Sequence, residues 1–414
     1  MSASHAASFS HAPAEQPRLA NPMLPLGIGL AGIVLTLVGV FTGSGHEHAT
    51  RLGLSWLIGM TFWTGLTIGI LLLVLIHHIF DAGWSTVLRR THEHWLASFK
   101  WLAALFLPLV AIAWMHPGVI WPWTDHAAVG GDILYTKKSG FLSVTAFTLF
   151  SALFFASWIW LSYRLRKHSF AQDVDGSSEH TRSNRVTAAM GLPITALSLT
   201  FAAFYWLMSL EYHWFSTMYG VWFFASCVRG ALALTTLLCI YLTWRGVLAG
   251  IFTKAHLLNL GNLMLAFTVF WAYVTFSQYF LIWNANIPEE TFWYNVRETG
   301  NWWDVGMVLV FGHFLLPFLF FLQHPLKKKN GSMIFICVWI LAIILLDFYY
   351  NILPSMKQGG HDGDPVNFHV TIWDVTAIVG IGGICFWAFF RSLASQRCIP
   401  VRDPRIIESL HLHE

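Results

Sequence analysis

Charge is what this chain has least of. Acidic and basic residues together make up 11% of its 414 residues, where a soluble globular domain carries about a quarter. An ordinary water-soluble fold is thereby excluded. The formal net charge is only +3, and the basic residues are divided among loops rather than gathered on one face, which argues against a nucleic-acid partner. Cysteine is sparse as well. Cys227, Cys239, Cys337, Cys385 and Cys398 form no CxxC, CxxCH or CxxCxxC spacing, so no motif for c-type haem, an iron–sulfur cluster or structural zinc is present. Four of the five fall in apolar runs and read as small packing residues. Residues 1–23 hold one arginine and no apolar h-region, and are expected to be a polar cytoplasmic arm rather than a cleaved secretory signal.

Apolar and aromatic surface is what the chain has instead: 56% hydrophobic, 16% aromatic, 22 tryptophans. Runs long enough to cross a hydrocarbon core of roughly 30 Å predict an all-α membrane protein of about ten transmembrane helices, near 24–44, 53–78, 96–115, 140–163, 191–211, 218–244, 256–283, 303–322, 333–353 and 370–390. Lysine and arginine divide 18 to 5 between the two sets of alternate loops, with Arg229 inside a span. That bias places both termini in the cytoplasm. The connection from Arg164 to Arg185 reads as a solvated linker. On the opposite face, residues 121–132 and 286–304 are rich in tryptophan and acid, which fits either interfacial anchoring or the docking of a partner.

The most informative run is 257–283. It has no charged residue, yet carries Asn259, Asn262, Thr268, Tyr273, Thr275, Ser277, Gln278 and Tyr279. Lipid cannot satisfy these groups, so part of this helix must face other helices or enclosed water. Ionisable residues at membrane depth are costly and mark candidate sites. Arg229 lies near the middle of the sixth span, with Glu211 across a tight turn as a possible partner, and His313 is near the middle of the eighth. Asp347 lies toward the outer end of the ninth, with Asn351 on the same helical side. Asp304 and Asp374 stand at the outer starts of the eighth and tenth spans. His77, His78, Asp81 and His256 stand on the cytoplasmic side. Together with Tyr273 and Gln278 these residues could line two proton half-paths meeting through enclosed water. The plain alternative is a set of interior polar residues that fix helix register. With one deep histidine, haem b is disfavoured. The pairs His46/His48 and His92/His94 are expected in loops, as surface residues rather than metal ligands.

Three segments carry a resemblance. FWAYVTFSQYFLIWNANIPEETFWY (270–294), DAGWSTVLRRTHE (81–93) and WLMSLEYHWFSTMYG (206–220) resemble, in chain order, motifs of the NrfD/PsrC-like membrane subunits of alternative complex III, a quinol:electron-acceptor oxidoreductase, and the shorter, ActF-type subunit in particular. The resemblance spans about residues 50–355. It implies two four-helix bundles, 53–211 and 212–355, a first peripheral helix and loop over 24–52, and a tenth helix with cytoplasmic tail over 356–414. A weak echo between Phe204-Tyr205-Trp206 and Phe348-Tyr349-Tyr350, four helices apart, agrees with a parallel repeat. The chain departs from the family at Tyr205, Tyr212, Asn259 and Asn262, where relatives often carry an acid, Pro, Asp and Lys. The last two changes remove titratable stations from the cytoplasmic end of the seventh helix.

The resemblance further implies a multi-pass subunit of the bacterial inner membrane with no redox cofactor of its own. Its expected partners are an ActC-type membrane subunit, a multihaem cytochrome c subunit, an iron–sulfur subunit, smaller membrane subunits, lipids and a terminal oxidase. Quinol is the substrate of the whole complex. Three functions remain open: a scaffold that also conducts protons, a subunit that itself binds and oxidises quinol, and a stand-alone secondary transporter.

Overall fold

The computed structural model describes residues 21–43, 45–357 and 365–412. Among these, ten helices are long and apolar enough to cross a bilayer, and the chain is an all-helical, multi-pass membrane protein. They are α1 (Met23–Thr42), α2 (His46–Ile79), α3 (Phe99–Met115), α4 (Val144–Asp175), α5 (Ser178–Trp206), α6 (Tyr219–Trp244), α7 (Lys254–Ala285), α8 (Trp302–Leu322), α9 (Asn330–Ile352) and α10 (Ile372–Ser395). Most of the expected arm over 1–23 and part of the segment before α10 lie outside the described residues.

Helices α2 and α6 form the centre, each buried along nearly its whole length. Glycine permits this: a Cβ on Gly69 would sit 2.1 Å from the Cys227 carbonyl oxygen, so only hydrogen at that position lets the two backbones touch. Around α2 the contacts run α2–α3–α4–α5 and back to α2. Around α6 they run α6–α7–α8–α9 and back to α6. Helix α1 lies outside both rings against α10, where Gly29 and Gly32 meet Gly380 and Gly383 at backbone distance. All five cysteines are buried and free.

Two segments differ from expectation. The solvated linker at 164–185 is helical apart from a two-residue break, Gly176 at φ +72° and Ser177, whose hydroxyl caps α5. The stretch at 81–93 is not a loop. A helix over Thr86–Trp95 runs through a tightened turn into α3, and every one of its residues is buried. His92 and His94 are therefore interior residues and not surface ones. His92 Nε2 meets Thr235 Oγ1 at 2.9 Å, and His94 Nε2 donates to the Arg397 carbonyl at 3.1 Å. His46 and His48 open the first turn of α2. Polarity misleads at 81–93 because each charge there meets an opposite charge, Glu93 within the segment and Asp81, Arg89 and Arg90 also from distant parts of the chain, and paired charges can be buried.

Candidate functional site

The loops α2–α3, α4–α5, α6–α7 and the C-terminal tail meet at one end of the bundle, here the Arg-rich end. The guanidiniums of Arg89, Arg90 and Arg405 are interleaved there with the carboxylates of Glu93, Asp173 and Asp403. Arg89 Nε lies 3.0 Å from Glu93 Oε1 and its Nη1 lies 2.6 Å from Asp403 Oδ2. Arg90 lies 3.2 Å from Glu93 and 2.8 Å from Asp173. Arg405 joins Asp403 to Asp81, which also pairs with Arg185. Burial raises the Asp403 carboxyl, but Arg89 and Arg405 outweigh it and hold the group well below the usual carboxylate range.

The tail is pinned beside this cluster by Ser409, which takes the Nε2 hydrogen of His256 at 3.1 Å and donates to the Trp84 carbonyl at 2.7 Å. Beneath it, His77 accepts from Arg89 at 3.2 Å and faces Ser85 at 2.7 Å. His78 is buried, and neither of its ring nitrogens finds a partner among the described residues. The four candidates His77, His78, Asp81 and His256 thus gather at the Arg-rich end, alongside Arg89, Arg90 and Glu93, which sequence reasoning had not singled out as site residues.

A second centre lies deeper, between α6, α7, α8 and α9. Arg229 Nη1 donates to His313 Nδ1 at 2.9 Å, with both side chains fully buried. Arginine can only donate, so Nδ1 accepts and Nε2 carries the imidazole hydrogen. Arg229 Nε and Nη2 and His313 Nε2 have no partner among the described residues. The expected pairing of Arg229 with Glu211 is replaced by this contact. The Glu211 charge acts instead on Arg297.

Local sequence explains why His313 points inward. Pro317 has no N–H to offer the carbonyl four residues back, and residues Leu309–Leu315 widen into a π-helix with Gly312 and His313 on its buried side. Such widening frequently marks functional positions.

One side chain links this pair to Asp347. The Trp271 ring lies 3.7 Å from the His313 ring, centroid to centroid, and its indole N–H donates to Asp347 Oδ2 at 3.2 Å. Trp222 donates to the same oxygen at 3.0 Å and Asn351 to Oδ1 at 3.1 Å. Asp347 thus rests on three neutral donors. No cation among the described residues lies within ion-pair distance of it.

Asp347 borders a cleft of about 570 Å³ between α7, α8, α9 and the short helix Pro288–Arg297. Its walls include Trp271, Tyr273, Tyr294, Trp303 and Tyr350, with Gln278 and Arg297 also lining it. Tyr273 is largely exposed, and Gln278 bridges Ser216 at 2.8 Å and the Tyr294 hydroxyl at 3.1 Å. The Arg297 guanidinium lies 3.3 Å over the Trp293 ring and donates to the carbonyls of Trp293, Tyr350 and Asn351. Burial lowers its pKa to about 10.

The remaining candidates separate from this centre. Asp374 is in a bidentate pair with Arg51, at 2.8 and 2.5 Å, and caps α10. Asp304 is exposed at the start of α8. Of the tryptophans expected as outer anchors, Trp121, Trp123, Trp293 and Trp302 are buried, and Trp303 is exposed. Sequence reasoning missed Trp222, Trp271 and Arg297. A signal for Trp271 was available, because it shares a helical face with Thr275 and Gln278 at i+4 and i+7. No family model and no curated protein matches the chain.

Proposed function

We propose that this chain is an integral membrane subunit of a quinol-oxidising electron-transfer complex of the alternative complex III kind, and that it moves protons for the complex as well as scaffolding it. The motif resemblance over 81–93, 206–220 and 270–294 supports the complex. One observation supports the proton role: Arg229 and His313 are buried at mid-depth with three donor nitrogens unpartnered among the described residues, one indole away from the Asp347 carboxylate. Buried donors of this kind are satisfied by water or a ligand. An indole does not exchange protons near neutral pH, so transfer between Asp347 and His313 runs through water around Trp271, with the carboxylate and imidazole as the exchanging groups. The histidines His77, His78 and His256 at the Arg-rich end line the second half-path, beside the charge cluster that fastens that end. By the lysine and arginine bias that end is cytoplasmic, in a bacterial inner membrane. Electrons travel in partner subunits carrying haem c and iron–sulfur clusters.

In the reconstituted complex, Asp347→Asn or His313→Leu lowers the protons moved per electron while leaving assembly intact. Unchanged stoichiometry with both variants rejects the proton role.

A second reading is favoured by the cleft itself. An aromatic-walled space of about 570 Å³ bordered by a carboxylate is of a size and character that hold a small ring compound. In this reading quinol binds here, gives one proton to Asp347 and the other to solvent at the cleft, and passes its two electrons in turn to a docked iron–sulfur subunit, leaving quinone. An azidoquinone should then label residues of α7 or α8, and excess quinol should suppress the labelling. Labelling confined to another subunit of the complex removes this reading. A stand-alone transporter is disfavoured by the motif resemblance, and would isolate without cytochromes.

A further inference from the structure

A small apolar cluster stands apart from the main core. Ile384, Trp387 and Ala388 of α10 pack with Leu26 and Ile33 of α1 and with Trp101 and Leu105 of α3. The tryptophans meet edge to face, with ring centroids 4.8 Å apart. Each carries a cation: Lys100 Nζ lies 5.4 Å from the Trp101 ring centre, and the Arg391 guanidinium lies 5.3 Å from that of Trp387. Lys100 is the second residue of α3 and Arg391 lies about one turn before the end of α10, so both cations sit at the Arg-rich end of their helices.

Both cations are exposed, and neither meets a carboxylate among the described residues. The indole N–H groups of Trp101 and Trp387 likewise find no acceptor there, although Trp387 is only 9% exposed. Some arginines at this end are neutralised, since Arg89, Arg90, Arg185 and Arg405 each reach a carboxylate. Among the described residues Arg166 and Arg402 reach only the Ser392 hydroxyl and the Val174 carbonyl. Lys100 and Arg391 differ from these in lying over a pair of touching indoles. Here two cations and two N–H donors border an apolar seam, in which half-buried Leu26 of α1 and Leu105 of α3 pack over Ile384 of α10.

We propose that this seam binds one anionic phospholipid from the leaflet at the Arg-rich end. Lys100 and Arg391 hold the phosphate, the indoles bound the headgroup, and an acyl chain lies along the outer side of the seam against the half-buried Leu26 and Leu105. Charge decides the occupant. A zwitterionic headgroup places a quaternary ammonium beside the two cations, whereas an anionic headgroup brings its negative charge without one. Basic pockets between helices at membrane level recognise lipids in this way.

Native mass spectrometry of the complete chain in mild detergent, titrated with equimolar phosphatidylglycerol and phosphatidylcholine, tests the site. The wild type should retain one phosphatidylglycerol in preference. A basic residue near the membrane surface is worth about fivefold in affinity, so Lys100→Gln with Arg391→Gln should weaken retention at least roughly tenfold. The charge-keeping exchange Lys100→Arg with Arg391→Lys should preserve it. The pair Lys254→Gln and Lys329→Gln, exposed at the same end, should leave it unchanged. Equal retention of phosphatidylcholine by the wild type, or unaltered phosphatidylglycerol retention by the glutamine pair, overturns the proposal. An equal loss with the Lys254 and Lys329 pair does the same, since attraction would then be general to the surface. If the double variant does not accumulate, Arg391→Gln alone decides: retention falls about fivefold or the site is absent.

Discussion

The Arg-rich end and the deep centre are built from the same side chains and treat them in opposite ways. At the Arg-rich end Arg89, Arg90 and Arg405 are matched by Glu93, Asp173 and Asp403 at 2.6–3.2 Å. In the deep centre Arg229 meets only an imidazole, and Asp347 meets only neutral N–H groups. A charge surrounded by opposite charges gains little from moving its proton. A charge held by neutral dipoles changes state when its surroundings change, and such groups cluster at functional sites. The first region therefore fastens helices and tail together, and the second is where protonation can be coupled to work.

The largest expected effect that tests this contrast is on stability, at the matched end. Glu93→Leu leaves Arg89 and Arg90 buried with one carboxylate fewer between them, and breaking a buried pair in this way costs about 3–5 kcal/mol. Thermal unfolding in detergent should fall sharply, or the protein should fail to accumulate. A melting temperature equal to wild type would mean that the cluster is not the fastening described.

Acid should release the tail next. The folded Asp403 carboxyl is held below its unfolded value of about 3.9 by Arg89 and Arg405, acting against burial. A depressed carboxylate contributes stability that is complete above the unfolded value and is lost as pH falls through the folded one. Hydrogen exchange in residues 399–410 should accelerate as pH is lowered below about 4. In Asp403→Asn it should be fast already at neutral pH. Exchange independent of both would detach the tail from the ion pair. At the opposite end Asp132, lowered to about 2 chiefly by its hydrogen bond from His213, should hold its loop to still milder effect, since it is partly exposed.

The smallest stability effect is the most telling one. Arg229→Met removes a buried charge that has no counter-charge in contact, and replacing such groups by apolar side chains of similar volume is commonly neutral or favourable. Stability within about 1 kcal/mol of wild type, together with loss of proton movement, is the expected pairing. A loss of several kcal/mol would place Arg229 with Arg89 as a fastening residue.

Much of this was legible in the chain itself. Ten apolar runs appear where ten helices lie, because a spanning helix must satisfy its own backbone and present apolar side chains over a set length. The depth of Arg229 and His313 and the shared face of Asp347 and Asn351 followed from helical period. The buried helix at 86–95 was not legible, since its polarity suggested a loop until Asp173 and Asp403 came from 80 and more than 300 residues away to neutralise it. The Trp271 link was hidden for a related reason: an indole in a membrane helix looks like one more aromatic among 22 tryptophans until its two neighbours are known.

By itself the sequence determined the medium, the number of crossings and which side chains are costly at their depth, because these depend on local composition and on the rise and period of a helix. Only the tertiary structure decided which costly groups are neutralised and which stay poised. That choice depends on a few ångströms between helices distant in the chain, on the widened turn that aims His313 at Arg229, and on the glycines that let α2 and α6 touch.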